Sequence, residues 1–107
     1  MTYPRLIIDA ATPDGYKLQA WPHGLNPDGT KSWCVELTRP GDSKPANVVG
    51  RNRPGWPEFH HKDSAWDAAE WVQQQAREHD MLALLPVEPG LRFLHRLAEH
   101  MEGLETA

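Results

Sequence analysis

The tripeptide Pro-Asp-Gly occurs twice in the chain, at residues 13–15 and 27–29. In such a turn proline fixes φ at the second position, and glycine takes the left-handed backbone conformation that other residues avoid. Runs that are apolar, or that alternate apolar with polar side chains, surround the two turns: residues 6–8, 16–21 and 33–38. Short alternating runs joined by tight turns are typical of antiparallel hairpins. The pattern predicts an up-and-down β-meander within residues 1–50, with Val48 and Val49 as a short fourth strand.

Residues 64–79 carry the pattern of a helix. Ser64 can accept a hydrogen bond from a free N–H group of the first turn, and Asp67 suits the positive end of the helix dipole. Small apolar residues recur at spacings of three and four and share one face, which can approach a sheet closely: Ala65, Ala68, Ala69, Val72 and Ala76. We assign residues 64–85 to this main helix and an apolar connection. Its end is open between His79 and Leu85, because residues 81–85 are also good helix formers.

A second, shorter helix is predicted over residues 88–103. Pro89 suits a first helical turn, and Gly103 suits a C-terminal cap. The apolar side chains of this segment form an amphipathic stripe: Leu91, Leu94, Leu97, Met101 and Leu104. The stripe is either core or an interface, and as an interface it would form a homodimer. Residues 104–107 are expected to be a frayed tail.

Together these segments predict one α+β domain spanning residues 1–107, in which a small antiparallel sheet of three or four strands carries the main helix. Residues 51–63 are expected to form a basic loop, since Pro54 and Pro57 disfavour regular pairing. Strand residues alternate between faces, so one of Trp21 and Trp33 points away from the main helix. We expect the second helix to cover that tryptophan. The alternative is an exposed aromatic side chain that serves a partner.

Length and composition limit the class of protein. A chain of 107 residues with one cysteine, Cys34, cannot form an internal disulfide. It contains no apolar run near the ~20 residues of a membrane span. The first ten residues lack a basic stretch followed by an apolar one, so we expect no signal peptide and a cytoplasmic protein.

No sequence motif supports an enzymatic function. Dinucleotide, phosphate-loop and nucleophile-elbow motifs are absent from the sequence. Cys34 lies within a predicted strand, where a half-buried and inert thiol is expected. The six histidines lack the spacing of four on a helix that a zinc pair requires. We therefore expect no enzymatic activity, no metal and no cofactor.

The formal charge of −4 is spread unevenly. Residues 39–62 contain five basic and two acidic side chains, whereas residues 63–107 contain three basic and nine acidic ones. Interfaces concentrate tryptophan and arginine at their energetic centres, and the chain has five tryptophans. We therefore expect a protein-binding module, an adaptor or inhibitor of a larger cytoplasmic assembly, with a phage or another mobile element as one source. The candidate anchors are Arg51, Arg53 and Trp56 in the loop, and Leu94, Leu97 and Met101 in the second helix.

The alternative is a nucleic-acid-binding module that uses the basic segment 39–62. Basic side chains there would contact phosphates while Trp56 stacks on an unpaired base. The basic residues of this hypothesis are Arg39, Lys44, Arg51, Arg53 and Lys62. The two hypotheses differ in the expected salt dependence, because phosphate contacts weaken steeply as salt rises.

Overall fold

The computed structural model describes residues 6–42 and 55–103. The elements follow the order β1 (Ile8–Ala11), β2 (Lys17–Leu25), β3 (Lys31–Thr38), β4 (Glu58–Lys62), α1 (Ala65–Glu78), a short 3-10 helix (Leu82–Leu84) and α2 (Phe93–Glu102). The four strands form one antiparallel sheet in sequence order, so each strand pairs with the next along the chain. This is the predicted α+β fold, a meander followed by two helices.

Both Pro-Asp-Gly turns form where the sequence predicts them. The N–H of Gly15 donates to the carbonyl of Thr12 at 3.2 Å, and the N–H of Gly29 donates to the carbonyl of Asn26 at 2.9 Å. The two glycines have φ values of +107° and +88°. These are left-handed conformations that favour glycine, so the two turns position β1, β2 and β3 as neighbours.

Part of the segment predicted to be a loop is a strand. Val48 and Val49 lie outside the described residues, and β4 falls at Glu58–Lys62, within the segment predicted to be a loop. The prediction was wrong there because a proline interrupts a sheet only at a residue that must donate to the ladder. Pro57 directly precedes β4 and is itself fully buried, so it ends the loop and leaves the pairing of β4 with β3 intact.

The main helix begins as predicted and ends near His79, the earlier of its two predicted ends. The side chain of Ser64 accepts a hydrogen bond from the N–H of Asp67 at 3.1 Å. α1 ends at Glu78, with His79 as its C-cap. Asp80 then takes a left-handed conformation, with φ of +57°, which turns the chain away from the helix axis. The helix therefore does not run on to Leu85.

The second helix is shorter than the predicted 88–103. It begins at Phe93, because Arg92 has a left-handed φ of +61° and cannot continue a right-handed helix toward Pro89. Gly103, with φ of +85°, caps its C-terminal end as predicted. Residues 104–107, predicted to be a frayed tail, lie outside the described residues.

One continuous core joins the sheet to the helices. We call the side of the sheet that carries α1 the inner face, and Trp33, Val35 and Leu37 project from it at 0–1% exposure. The small-residue face of α1 packs on this surface, with Ala68 and Ala69 at 0% exposure. The second helix packs on α1 and closes the core with Phe93, Leu97 and Met101.

Candidate functional site

The side of the sheet opposite α1, here called the outer face, carries the candidate site. Because strand residues alternate, the neighbours of the inner-face residues project from it. In register across three strands, Gln19 pairs with Glu36 and Glu36 with Phe59, while Trp21 pairs with Cys34 and Cys34 with His61. None of these six side chains belongs to the hydrophobic core cluster of the described residues.

Two aromatic side chains contact each other on this face. The rings of Trp21 and Phe59 have centroids 6.1 Å apart, and Phe59 presents its edge to His61 with centroids 5.0 Å apart. Both Trp21 and Phe59 are half-buried. Aromatic rings at such separations attract one another beyond the burial of their area, so β2 and β4 are linked across β3 by side chains as well as by the ladder.

A β-bulge adds a second histidine to this surface. The register of β2 with β3 shifts between Pro22 and Gly24, which leaves His23 as the extra residue. A bulge re-aims the side chain it carries. The ring of His23 lies with its centroid 5.0 Å from that of His61, and both side chains are exposed. We call Trp21, His23, Phe59 and His61 the outer aromatic patch.

Two side chains that alternation would expose are buried within the same face. Cys34 is 2% exposed, and its Sγ lies 3.5 Å from Nδ1 of His61. Glu36 is 1% exposed. Strict alternation would leave both side chains in solvent, yet β3 is buried on its two faces from Trp33 to Leu37. Strand β3 is therefore covered on the outer face as well as on the inner one.

Of the basic residues predicted to contact phosphate, Arg39 is engaged within the fold. Its Nε lies 3.4 Å from the carboxylate of Asp42, and its Nη1 lies 3.8 Å from that of Glu58. Its Nη2 donates to the carbonyl of Trp56 at 3.3 Å. Arg39 thus joins the end of β3 to the start of β4, and Trp56 is half-buried beside it. Lys44, Arg51 and Arg53 lie outside the described residues.

Lys62, the remaining basic candidate, lies at the end of β4 beside carboxylates. With Asp63, Asp67, Glu70 and Trp71, among others, it lines an open cavity of about 320 Å³ between β4 and α1. A phosphate backbone would meet these carboxylates as well as the ammonium group, which opposes binding at this edge.

The apolar stripe of the second helix divides between core and surface. Leu97 and Met101 are 0% and 1% exposed and belong to the core. Leu94 is half-buried and lines a shallow cavity on the surface of α1 with Glu70 and Arg77, among others. Leu94 is therefore the one predicted anchor of α2 that reaches the surface.

Sequence reasoning located one member of the outer aromatic patch and missed the other three. The alternation in β2 and β3 identified Trp21 or Trp33 as the outward tryptophan, and Trp21 is the one. The expectation that the second helix covers it was wrong, because α2 packs on α1, on the inner side of the sheet. Phe59 and His61 were assigned to a loop, although their spacing of two is the strand period that places them on one face.

No cluster of three or more histidine, cysteine or carboxylate side chains that could hold a metal ion is found in residues 6–42 and 55–103. Within those same ranges no helix has the length and apolar character needed to cross a bilayer.

Comparison with models of protein families, with curated proteins and with solved structures finds no match to this chain.

Proposed function

We propose that the chain is a non-enzymatic protein-binding module of the cytoplasm, an adaptor or inhibitor that contacts a partner protein through the outer aromatic patch. The observation that carries the proposal is the contact of Trp21 with Phe59 on the face of the sheet opposite α1. The solvent face of an antiparallel sheet is normally polar. Two large aromatic side chains placed there, outside the core, are typical of a recognition surface.

The chemistry of the outer face favours a protein over a nucleic acid. Among the described residues it carries the carboxylates of Asp9 and Glu36 and the ammonium group of Lys17. Binding to a phosphate backbone depends on a surplus of positive charge, which this face lacks over its described part. Protein interfaces instead combine an aromatic centre with a polar rim, and here His23 and His61 form such a rim.

The predicted loop anchors stay in the proposal as candidates. Trp56 lies three residues before Phe59 and remains a predicted anchor, as do Arg51 and Arg53. A homodimer formed through α2 also remains a prediction, and Leu94 is the side chain that would make its contact.

The test is affinity capture of the tagged chain from a lysate of its host, with and without nuclease. The double variant Trp21→Ala/Phe59→Ala should lose a stoichiometric protein partner that the unchanged chain retains after nuclease treatment. The matched control is Trp66→Ala, because Trp66 is 39% exposed on α1 and lies outside the patch.

Two outcomes would contradict the proposal. Retention of the partner by the double variant would move the interface away from the outer face. Recovery of only nucleic acid, lost on nuclease treatment and weakened steeply by salt, would instead support the segment 39–62 as a nucleic-acid site.

A further inference from the structure

His23 and His61 form a contact that spans β3. His23 reaches it from the bulge of β2 and His61 from β4, and the two ring centroids lie 5.0 Å apart. Cys34, on β3 between them, is 2% exposed although its thiol projects from the outer face. The two imidazoles are thus placed across the strand that carries a buried thiol.

The neutral rings suit this arrangement. An imidazole without charge carries one N–H and one free nitrogen. With its proton on Nε2, His61 can accept the S–H of Cys34 at Nδ1, and the observed separation of these atoms is 3.5 Å. A neutral His23 adds a ring contact without electrostatic cost. In this state the thiol is both hydrogen-bonded and covered.

We propose that the His23–His61 contact is a proton-sensitive latch over Cys34, which opens when both imidazoles are charged and makes the thiol accessible. Histidine side chains commonly gain a proton between about pH 8 and pH 5. Two unit charges 5.0 Å apart repel enough to change an equilibrium about fourfold in water, and more at lower dielectric. Protonated His61 also loses the acceptor at Nδ1. Both effects disfavour the closed arrangement.

Other charged groups lie on the outer face and beside His61. On the outer face these groups are Asp9 of β1, Lys17 of β2 and Glu36 of β3. His61 also borders the cavity that contains Lys62, Asp63, Asp67 and Glu70. His60, the neighbour of His61 in β4, pairs with Glu58 at 2.8 Å on the inner face.

The chain supplies its own probe, since Cys34 is its single cysteine. The rate at which 4,4′-dithiodipyridine modifies the folded chain is measured from about pH 8 to pH 5, the range in which histidine titrates. The protection of Cys34 is the rate for the chain unfolded in guanidinium divided by the rate for the folded chain at the same pH. This ratio removes the intrinsic pH dependence of the thiol. At low ionic strength, the proposal expects the protection of Cys34 to fall about fourfold on acidification.

Two variants identify the cause of the fall in the protection of Cys34. His23→Gln removes one of the two charges and with it the repulsion, so the fall in protection on acidification should be about fourfold smaller than in the unchanged chain. His95→Gln, on α2 at the other side of the sheet, should keep the profile of the unchanged chain. Far-ultraviolet circular dichroism at each pH shows whether the fold persists.

Three results would overturn the latch. Protection that stays constant with pH in the unchanged chain removes its basis. A fall of the same size in His23→Gln assigns the effect to His61 and Cys34 alone, as an imidazolium–thiolate pair. A fall that coincides with loss of secondary structure is global unfolding. The latch is a property of the chain by itself, so each result is independent of whether the outer face binds a protein.

Discussion

Trp21 and Trp33 lie on neighbouring strands and project from opposite faces of the sheet. Trp33 is 0% exposed under α1, whereas Trp21 is half-buried and outside the core. Their strands are paired, since Trp33 lies opposite Pro22, the residue that follows Trp21. The two indoles therefore separate the structural role of tryptophan in this chain from its proposed role in recognition.

The two tryptophans should differ in their effect on stability. Trp33→Ala removes a fully buried side chain and should lower the free energy of unfolding by about 3–5 kcal/mol. Trp21→Ala should cost about 1 kcal/mol, because its side chain is only half-buried and leaves the core intact. Chemical denaturation of both variants checks this difference. Equal losses would mean that Trp21 is part of the fold rather than a candidate contact residue.

Neighbouring leucines of α2 should respond differently to a charge. Leu97→Glu places a carboxylate in the core and should leave the chain unfolded. Leu94→Glu should fold, since Leu94 reaches the surface. Circular dichroism measures folding, and light scattering after size exclusion measures mass. A dimeric chain converted to a monomer by Leu94→Glu would support dimerisation through α2, whereas a monomeric unchanged chain would contradict it.

The cap of α1 is expected to contribute measurably to stability. Ser64→Ala removes the acceptor for the N–H of Asp67 and should lower the free energy of unfolding by about 1 kcal/mol. Ser64→Asp is the matched control, because a carboxylate can accept the same bond at the positive end of the helix. Thermal and chemical denaturation compare the three chains. A loss of the same size in Ser64→Asp would assign the effect to something other than the cap.

The second Pro-Asp-Gly turn should show a pH dependence. The hydroxyl and the backbone N–H of Thr30 both donate to Asp28, and they hold the pKa of that carboxyl below its ordinary value of 3.8. The turn is thus stabilised when Asp28 is ionised, which applies above the unfolded-state pKa. This contribution is lost as the pH falls through the lower folded-state pKa.

Thr30→Val tests the cause of that shift. It removes the hydroxyl, the largest contribution, and retains the backbone donor. The pKa of Asp28, followed by carbon-detected NMR of its carboxyl group, should rise toward 3.8 in the variant. An unchanged pKa would show that the hydroxyl of Thr30 does not hold the carboxylate in solution.

The parts of the fold that the sequence predicted are those fixed by local chemistry. The glycines of the two turns, the cap at Ser64 and the small-residue face of α1 each act within a few residues. They therefore leave a pattern that is visible without the tertiary structure. The inner and outer sides of β2 and β3 followed from alternation for the same reason, and Trp21 was identified in this way.

The parts that were missed depend on contacts distant in sequence or on a local irregularity. β4 is short and polar, and it is a strand because β3 offers it a partner. The bulge at His23 lies between Pro22 and Gly24, residue types that mark irregular strands, but the sequence does not show which side chain the bulge re-aims. Arg92 starts α2 from a left-handed conformation that its sequence does not favour. Most of the outer aromatic patch was missed because these tertiary contacts, rather than local pattern alone, bring its members together.

The alanines of α1 also constrain how the chain can diverge. Ala68, Ala69 and Ala76 are each 0% exposed against the sheet or α2, so any larger side chain there must lift the whole helix. Accepted substitutions in related chains should therefore spare this face and accumulate on the exposed side of α1. A set of homologues would then identify the fold by three invariantly small positions, whatever its partner, while the residues around Trp21 and Phe59 would vary with the partner.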